Sequence, residues 1–374
     1  MVMLNRVFST IIMAVVCLAA SAQGVCVING TIADVELVGG KKVKKVYLTR
    51  TDEFGRTVQV AEAKVKKGKY TFKHKVADNE PVLMYTITGF GEGKGIEVFV
   101  EQGNVTVSTV SAADPCGSVV AGTPTNDTYA EYMAVLTRGY EEAEKHNDDM
   151  MKSREGIKTV SQMLRFLIDH NDSPMTPLVI ERDMLNCLTP AYAEQILKSV
   201  SMTLRSHPYY HSLRNRVLAD NMKFGNELPD AKLRLLSGET KQLADYRGKY
   251  VILNFWTSGC DKSAAMLEEL KTLYDIIKGN DEYVIVSVSL DNDAVTWKNA
   301  VAGNGVNLEG WIHASDCAGF ESPIAKMYKV DKAPRIMIVE PEGIAVSLDM
   351  DIDELVMRIE QIMSGDLYYL DKKE

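Results

Sequence analysis

The sequence predicts an α/β domain at the C-terminus, preceded by an antiparallel β-sandwich and a helical connector. Three observations carry this reading. Between residues 23 and 124, short alternating apolar runs recur at roughly ten-residue spacing, separated by Gly and Asn turns. From 125 to 223 apolar residues return every three or four positions. From 224 to 364 continuous apolar runs alternate with helical patterns, as expected where helices cover both faces of a sheet.

Residues 1–22 read as a secretory signal peptide. Arg6 supplies the basic start, Ile11 to Ala20 is nearly uninterrupted apolar sequence, and Ala20-Ser21-Ala22 offers a small-x-small cleavage site before Gln23. The apolar run is too short to span a bilayer comfortably as a retained anchor. Val precedes both Cys17 and Cys26, where lipid attachment calls for a small residue. The expected location is the periplasm or cell envelope. Five cysteines would then remain, Cys26, Cys116, Cys187, Cys260 and Cys317, an odd number in an oxidising compartment.

The sandwich strands are Val25–Ile28, Lys45–Leu48, Thr57–Val60, Lys69–Lys73, Val82–Thr86, Ile96–Val100 and Val105–Val107. No catalytic cluster lies among them. In the connector, Tyr129, Met133, Leu136 and Tyr140 share one helical face, as do Met163, Phe166 and Leu167. Thr189-Pro190 is a helix start, with Thr as N-cap and Pro at the first helical position. Met150-Met151 reads as apolar filler. His207 and His211 have the spacing of a helical metal pair, but Pro208 interrupts them and no acidic third ligand follows, so no metal is expected.

In the C-terminal domain the run Tyr250 to Trp256 suits a central strand, and Met266, Leu267, Leu270, Leu273, Ile276 and Ile277 give the following helix its apolar side. A strand Tyr283 to Leu290 and a helix around Val295 to Val301 come next. Then follow a loop with Trp311 and His313 and a short helix from Ile324 to Tyr328. Strands Ile336–Val339 and Ile344–Leu348 and a helix Ile352–Met363 complete the set, leaving 365–374 as a tail.

The chain has 374 residues, a net charge of −9, 46% hydrophobic and 25% charged residues. The length calls for two or three domains, the composition is that of an ordinary globular protein, and the acidic balance argues against nucleic acid or anionic membrane as main partner.

Two stretches resemble known families. The order Gly248-Lys249-Tyr250, strand, Trp256 and Cys260, with Ala333-Pro334 about 70 residues on, resembles the thioredoxin superfamily and its exported thiol-disulfide interchange branch. Gly30-Thr31, Gly68-Lys69, Glu101-Gln102-Gly103-Asn104 and Gly122-Thr123-Pro124-Thr125-Asn126-Asp127 resemble the small β-domain of unknown function (DUF4369-like) that precedes such domains in exported proteins of the Bacteroides group. The first resemblance implies a nucleophilic Cys260 at a helix start, where free N–H groups favour the thiolate. It also implies motif positions Trp256, Thr257 and Ser263, and a cis proline, Pro334, offering a backbone edge to a substrate strand, with Arg335 beside it.

The departures from that family are equally informative. Ser263 stands where the resolving cysteine belongs, so no disulfide can close within the motif. Gly259 replaces a bulky aromatic, Met266 an acid, Glu268 a proline, and Arg335 a small or β-branched residue. Lys262 should favour the Cys260 thiolate and Asp261 oppose it. Cys317 could resolve Cys260 only if the fold brought it within disulfide reach.

The expected function is monothiol oxidoreductase or isomerase chemistry on protein thiols and disulfides. A small thiol is the candidate reductant, and no cofactor is needed. The alternatives are a degenerate module that binds an extended peptide, and a one-cysteine peroxidase suggested by Thr257-x-x-Cys260. Leu253 stands where a peroxidase motif has proline, and Arg335 is one residue out of place.

Overall fold

The computed structural model describes residues 24–52, 55–145 and 154–365. The signal peptide, Met150-Met151 and all but the first residue of the tail lie outside them. The chain divides into two compact units, one formed by residues up to 48 together with 60–127, the other by 49–59 together with 128 onward.

The β-region, of which residues 49–59 are assigned to the second unit, contains strands β1 (Gly24–Asp34), β2 (Lys45–Thr51), β3 (Thr57–Lys64), β4 (Lys69–Val76), β5 (Leu83–Thr88), β6 (Ile96–Val100), β7 (Gly103–Ser111) and β8 (Val119–Ala121). They form two four-stranded sheets, β4-β1-β7-β8 and β3-β2-β5-β6. Alternating residues of both, among them Ile28, Tyr70, Phe72 and Val107 from one and Val46, Ile87 and Val98 from the other, share one core. The β1–β4, β5–β6 and β7–β8 pairs are antiparallel, whereas β1 and β7 run parallel. The cause is the turn at Gly103 (φ +134°), where the chain leaves the sheet of β6 for that of β1. A strand arriving from the opposite sheet need not form a hairpin with its neighbour.

Helices α1 (Pro124–Lys145) and α2 (Arg154–Asp169) follow, then α3 (Met175–Val179), which runs into a π-helical turn Ile180–Met184, then α4 (Pro190–Ser199) and α5 (Pro208–Asp220). Thr189 caps α4 by accepting the Tyr192 N–H, with Pro190 at the first position. His207 caps α5 in the same way, its Nδ1 accepting the Tyr209 N–H at 3.2 Å. The buried seam of α1 is rotated from the expected face: Tyr140 is exposed, while Tyr132 is buried. The seam turns on Gly139, where a Cβ would stand 2.3 Å from Cγ2 of Thr159 on α2. That close approach needs glycine and leaves residue 140 pointing outward.

The second unit holds the α/β domain: β9 (Lys232–Arg234), β10 (Thr240–Gln242), β11 (Tyr250–Trp256), α6 (Asp261–Ile277), β12 (Tyr283–Ser289), α7 (Ala294–Gly303), β13 (Ile312–Ala314), α8 (Pro323–Met327), β14 (Arg335–Val339), β15 (Ala345–Met350) and α9 (Ile352–Met363). The main sheet has the order β13-β12-β11-β14-β15, with β11, β12 and β13 parallel and β14 and β15 antiparallel to their neighbours. His313, expected in a loop, lies on β13, a strand too short to show a period. Ile252 and Trp256 face α6, α7 and α9, while Val251, Leu253 and Phe255 face β9 and α8. The helices join this domain through Asn215 of α5. Its side chain donates to the Asp230 carbonyl (2.7 Å) and accepts the Asp230 N–H (2.9 Å).

Two predictions follow from this packing. Leu270 is fully buried in the core beneath α6, so Leu270→Ala should destabilise the second unit by about 2–5 kcal/mol in chemical denaturation. Burial pushes the His313 imidazole below its usual range, opposed by the bond from Nε2 to the Val306 carbonyl (2.8 Å). The neutral folded form then gives stability that is complete above the unfolded value of about 6.5 and is lost as pH falls below it. His313→Gln should therefore lose less stability than the parent between about pH 7 and 5, read from denaturation midpoints.

Candidate functional site

Strand β11 ends at Trp256, and the turn Thr257-Ser258-Gly259 leads to Cys260, the N-cap residue of α6 (φ −115°, ψ 117°). A helix start leaves its first N–H groups without intrahelical partners, and Cys260 stands at that end of α6. The Ser263 N–H holds the Cys260 thiol below its ordinary pKa. The Ser263 hydroxyl and the Lys262 N–H add to this, while desolvation and the Asp261 carboxylate oppose it. Lys262, expected to act through its charge, contributes through its backbone. Asp261 opposes, as its charge requires.

Ser263 is fully buried, and its Oγ also accepts the Thr257 N–H at 3.3 Å. The hydroxyl thus ties the turn to the helix and supports the sulfur at once. Trp256 is buried beneath the turn in the α6-side core, and its indole N–H has no acceptor among the described residues. Across from the thiol, the Ala333–Pro334 peptide is cis, and Cys260 Sγ lies 3.8 Å from the Ala333 carbonyl oxygen. The structure therefore brings Cys260, Thr257, Ser263 and the Pro334 loop together. Cys260 is half-buried, and a Cβ at Gly259 would meet nothing within 4 Å, so the thiol opens toward solvent.

Arg335 requires a correction as a docking side chain. It pairs with Phe255 across the sheet and so points to the side opposite Trp256. Its Nε donates to the Leu348 carbonyl (2.8 Å) and its Nη1 to those of Lys329 (2.7 Å) and Tyr328 (3.5 Å). The guanidinium braces β15 and the end of α8, leaving only the Arg335 backbone beside Pro334. This also removes the arginine that a peroxidase reading would place at the thiol.

Cys317 has φ +59° and packs against the α6-side core, with its sulfur 3.8 Å from the Ser315 hydroxyl. It and Cys26, Cys116, Cys187 and Cys260 are all free thiols. Among the described residues no group of three His, Cys, Asp or Glu could hold a metal. No helix there is long and apolar enough to cross a membrane.

One group escaped the sequence reading. Asp291, just after β12, accepts hydrogen bonds from both the N–H (3.0 Å) and the hydroxyl (2.8 Å) of Ser258. The available signal was a run of alternating polar residues, Ser287, Ser289 and Asp291, at the end of an apolar strand.

Residues 248–345 match the family model described as Thioredoxin-like, and residues 26–129 match the domain of unknown function DUF4369. The thiol-disulfide oxidoreductase ResA of Oceanobacillus iheyensis is 29% identical over 144 residues, covering 36% of this chain and 65% of that protein. ResA of Geobacillus kaustophilus is 41% identical over 119 residues, covering 32% and 64%. The chain thus spans slightly under two thirds of the length of these relatives. Among solved structures, a thiol-disulfide oxidoreductase from Bacteroides fragilis is similar with 27% identity and a TM-score of 0.35, covering 37% of this chain and 99% of that one. The C-terminal domain of a putative thiol-disulfide oxidoreductase from Bacteroides thetaiotaomicron gives 25%, 0.36, 38% and 97% in the same terms. The chain thus matches two family models in succession, DUF4369 toward its N-terminus and Thioredoxin-like toward its C-terminus.

Proposed function

We propose that this chain is an exported thiol-disulfide exchange protein that uses Cys260 as its single attacking thiol. Its substrates are protein thiols and disulfides in the periplasm or cell envelope. The observation that supports this most is the Cys260 sulfur at the α6 N-terminus, favoured as thiolate and 3.8 Å from the carbonyl that precedes the cis proline. Export is supported by the Ala20-Ser21-Ala22 pattern.

The Cys260 thiolate attacks one sulfur of a substrate disulfide. The substrate S–S bond breaks, a mixed disulfide forms, and the other substrate sulfur leaves as thiolate with the electron pair. Ser263 has no sulfur with which to resolve this bond. A second substrate thiolate, or a small external thiol, attacks instead and returns Cys260 as thiolate. With a substrate thiolate the net change is isomerisation and no electrons are gained; with an external thiol the substrate sulfur passes into a mixed disulfide with that thiol, and a second external thiol frees it, so two external thiols become one disulfide as the substrate disulfide is reduced. The backbone beside Pro334 holds the substrate strand during attack.

The mixed disulfide should accumulate when the full chain meets an oxidised peptide with no free thiol present, and Cys260→Ala should abolish it in mass spectra and abolish activity in scrambled-ribonuclease refolding. Normal refolding activity by Cys260→Ala would sink the proposal. A Cys260→Ala chain that still binds a partner peptide, alongside an unreactive Cys260, would favour a purely binding role. Alkylation of Cys260 should reach half its maximal rate at a pH below the value of about 8.5 for free cysteine. Ser263→Ala should move that midpoint upward, because the thiolate loses one donor while the thiol loses none.

A further inference from the structure

We propose that Asp291 is a positioning residue for Cys260, acting through Ser258 to hold the turn that presents the thiol at the start of α6. This rests on the reading of Cys260 as the reactive thiol. Asp291 is only 9% exposed. One carboxylate oxygen accepts the Ser258 N–H at 3.0 Å and the Ser258 hydroxyl at 2.8 Å. The other accepts the Ser289 hydroxyl at 2.7 Å, and the Asp291 N–H returns a bond to that same Ser289 oxygen at 3.1 Å. The Ser289 carbonyl in turn accepts the buried Ser315 hydroxyl at 3.0 Å. The carboxylate is thus fixed from behind by the ends of β12 and β13 and reaches forward to a residue two before the nucleophile.

The turn needs such an anchor. Gly259 carries no side chain to pack, a Cβ there would meet nothing, and glycine leaves the backbone its widest freedom. The other tie is the 3.3 Å bond from the Thr257 N–H to Ser263. A carboxylate taken out of water is also unfavourable unless donors replace the lost hydration, and three donors here do.

The sign of the effect separates positioning from charge. The charged groups on the elements around the thiol are Asp261 and Lys262 on α6, and Asp291 and Asp293 after β12. On the proline loop they are Asp331 and Lys332, the latter paired with Asp349. Asp293 is engaged as the cap of α7. If Asp291 acted on Cys260 only by charge, removing it would favour the thiolate and lower the alkylation midpoint. If it positions the turn, removing it lets Cys260 drift from the N–H groups of α6 and raises the midpoint.

The test is the pH profile of iodoacetamide alkylation at Cys260, followed by mass spectrometry of its peptide, in the full chain and in Asp291→Ala, Asp291→Asn and Ser258→Ala. Asp291→Ala should raise the midpoint by about one unit, making alkylation at pH 7 about tenfold slower. Asp291→Asn keeps an oxygen for the Ser258 N–H and should restore most of the rate. Ser258→Ala keeps the N–H bond and should show a smaller shift in the same direction. An unchanged or lowered midpoint in Asp291→Ala, or an Asn variant as slow as the Ala variant, overturns the proposal. If thermal unfolding shows that Asp291→Ala does not fold, Ser258→Ala decides: no shift overturns it. Alkylation needs no protein substrate, so failure of mixed-disulfide formation would refute the exchange function while leaving this result readable.

Discussion

The antiparallel register between β11 and β14 is the constraint on which the thiol site depends. Because Phe255 pairs with Arg335, the residues just past Trp256 and those just before Arg335 meet at one end of the sheet. Both faces of these strands are covered, so their apolar residues alone do not choose a register, since a one-residue slip would exchange one apolar face for another. The polar residues do choose. Asn254 is fully buried on the α6 side, where its Oδ1 accepts the Ser287 hydroxyl (2.5 Å), whose oxygen accepts the Trp311 indole N–H (2.7 Å). Arg335, one pairing further on, must face the other way to reach the carbonyls of Leu348, Lys329 and Tyr328. A slip would leave a buried amide and a guanidinium facing apolar side chains, and unpaired buried polar groups are strongly unfavourable.

With the register fixed, the first turn of α6 determines what the thiol can do. A buried Ser263 beside Cys260 holds the thiol's pKa down but cannot bond to it covalently, so the site favours the attacking form without a route to a disulfide within the motif. Met266, 6% exposed one turn further in, adds apolar bulk and no proton acceptor. The two substitutions point the same way. Dithiol chemistry needs a second thiol and a group to deprotonate it, whereas attack by one thiol needs neither. Any mixed disulfide would then last until a thiol from outside the motif reached it, so resolution would depend on the substrate or on the surrounding thiol pool.

Much of this was legible in the sequence, for reasons specific to each element. The seven expected sandwich strands and the strand-helix alternation after residue 224 were readable because their periods are set by burial. The helix α6 was readable from the apolar spacing of Met266 to Ile277, while its start at Cys260 was expected from resemblance. The cis state of Pro334 was expected from resemblance and not from any local period. Three things were hidden. The parallel β1–β7 pair follows from a change of sheet at Gly103, which leaves no trace in the alternation of either strand. The outward turn of Tyr140 depends on Thr159, a contact between helices. Asp291 and Arg335 find their partners 33 and 13 residues away in the chain, and sequence spacing does not encode which carbonyl or which N–H a polar side chain will meet.

The fate of Arg335 bears on specificity. Its guanidinium faces away from the docking edge, so under the proposed exchange a substrate strand would be gripped mainly by backbone at Pro334. Main-chain hydrogen bonds give affinity with little dependence on side chains, while pockets for alternate side chains give selectivity. The open space around Gly259 works in the same direction, since a bulky residue there would narrow the approach to Cys260. Under that exchange, a thiol held by backbone and approached through open space would suit substrates defined by an exposed disulfide in an extended segment more than by a particular sequence. Such breadth agrees with isomerisation, in which the protein attacks whichever disulfide is strained or exposed and the substrate's own thiols choose the final pairing.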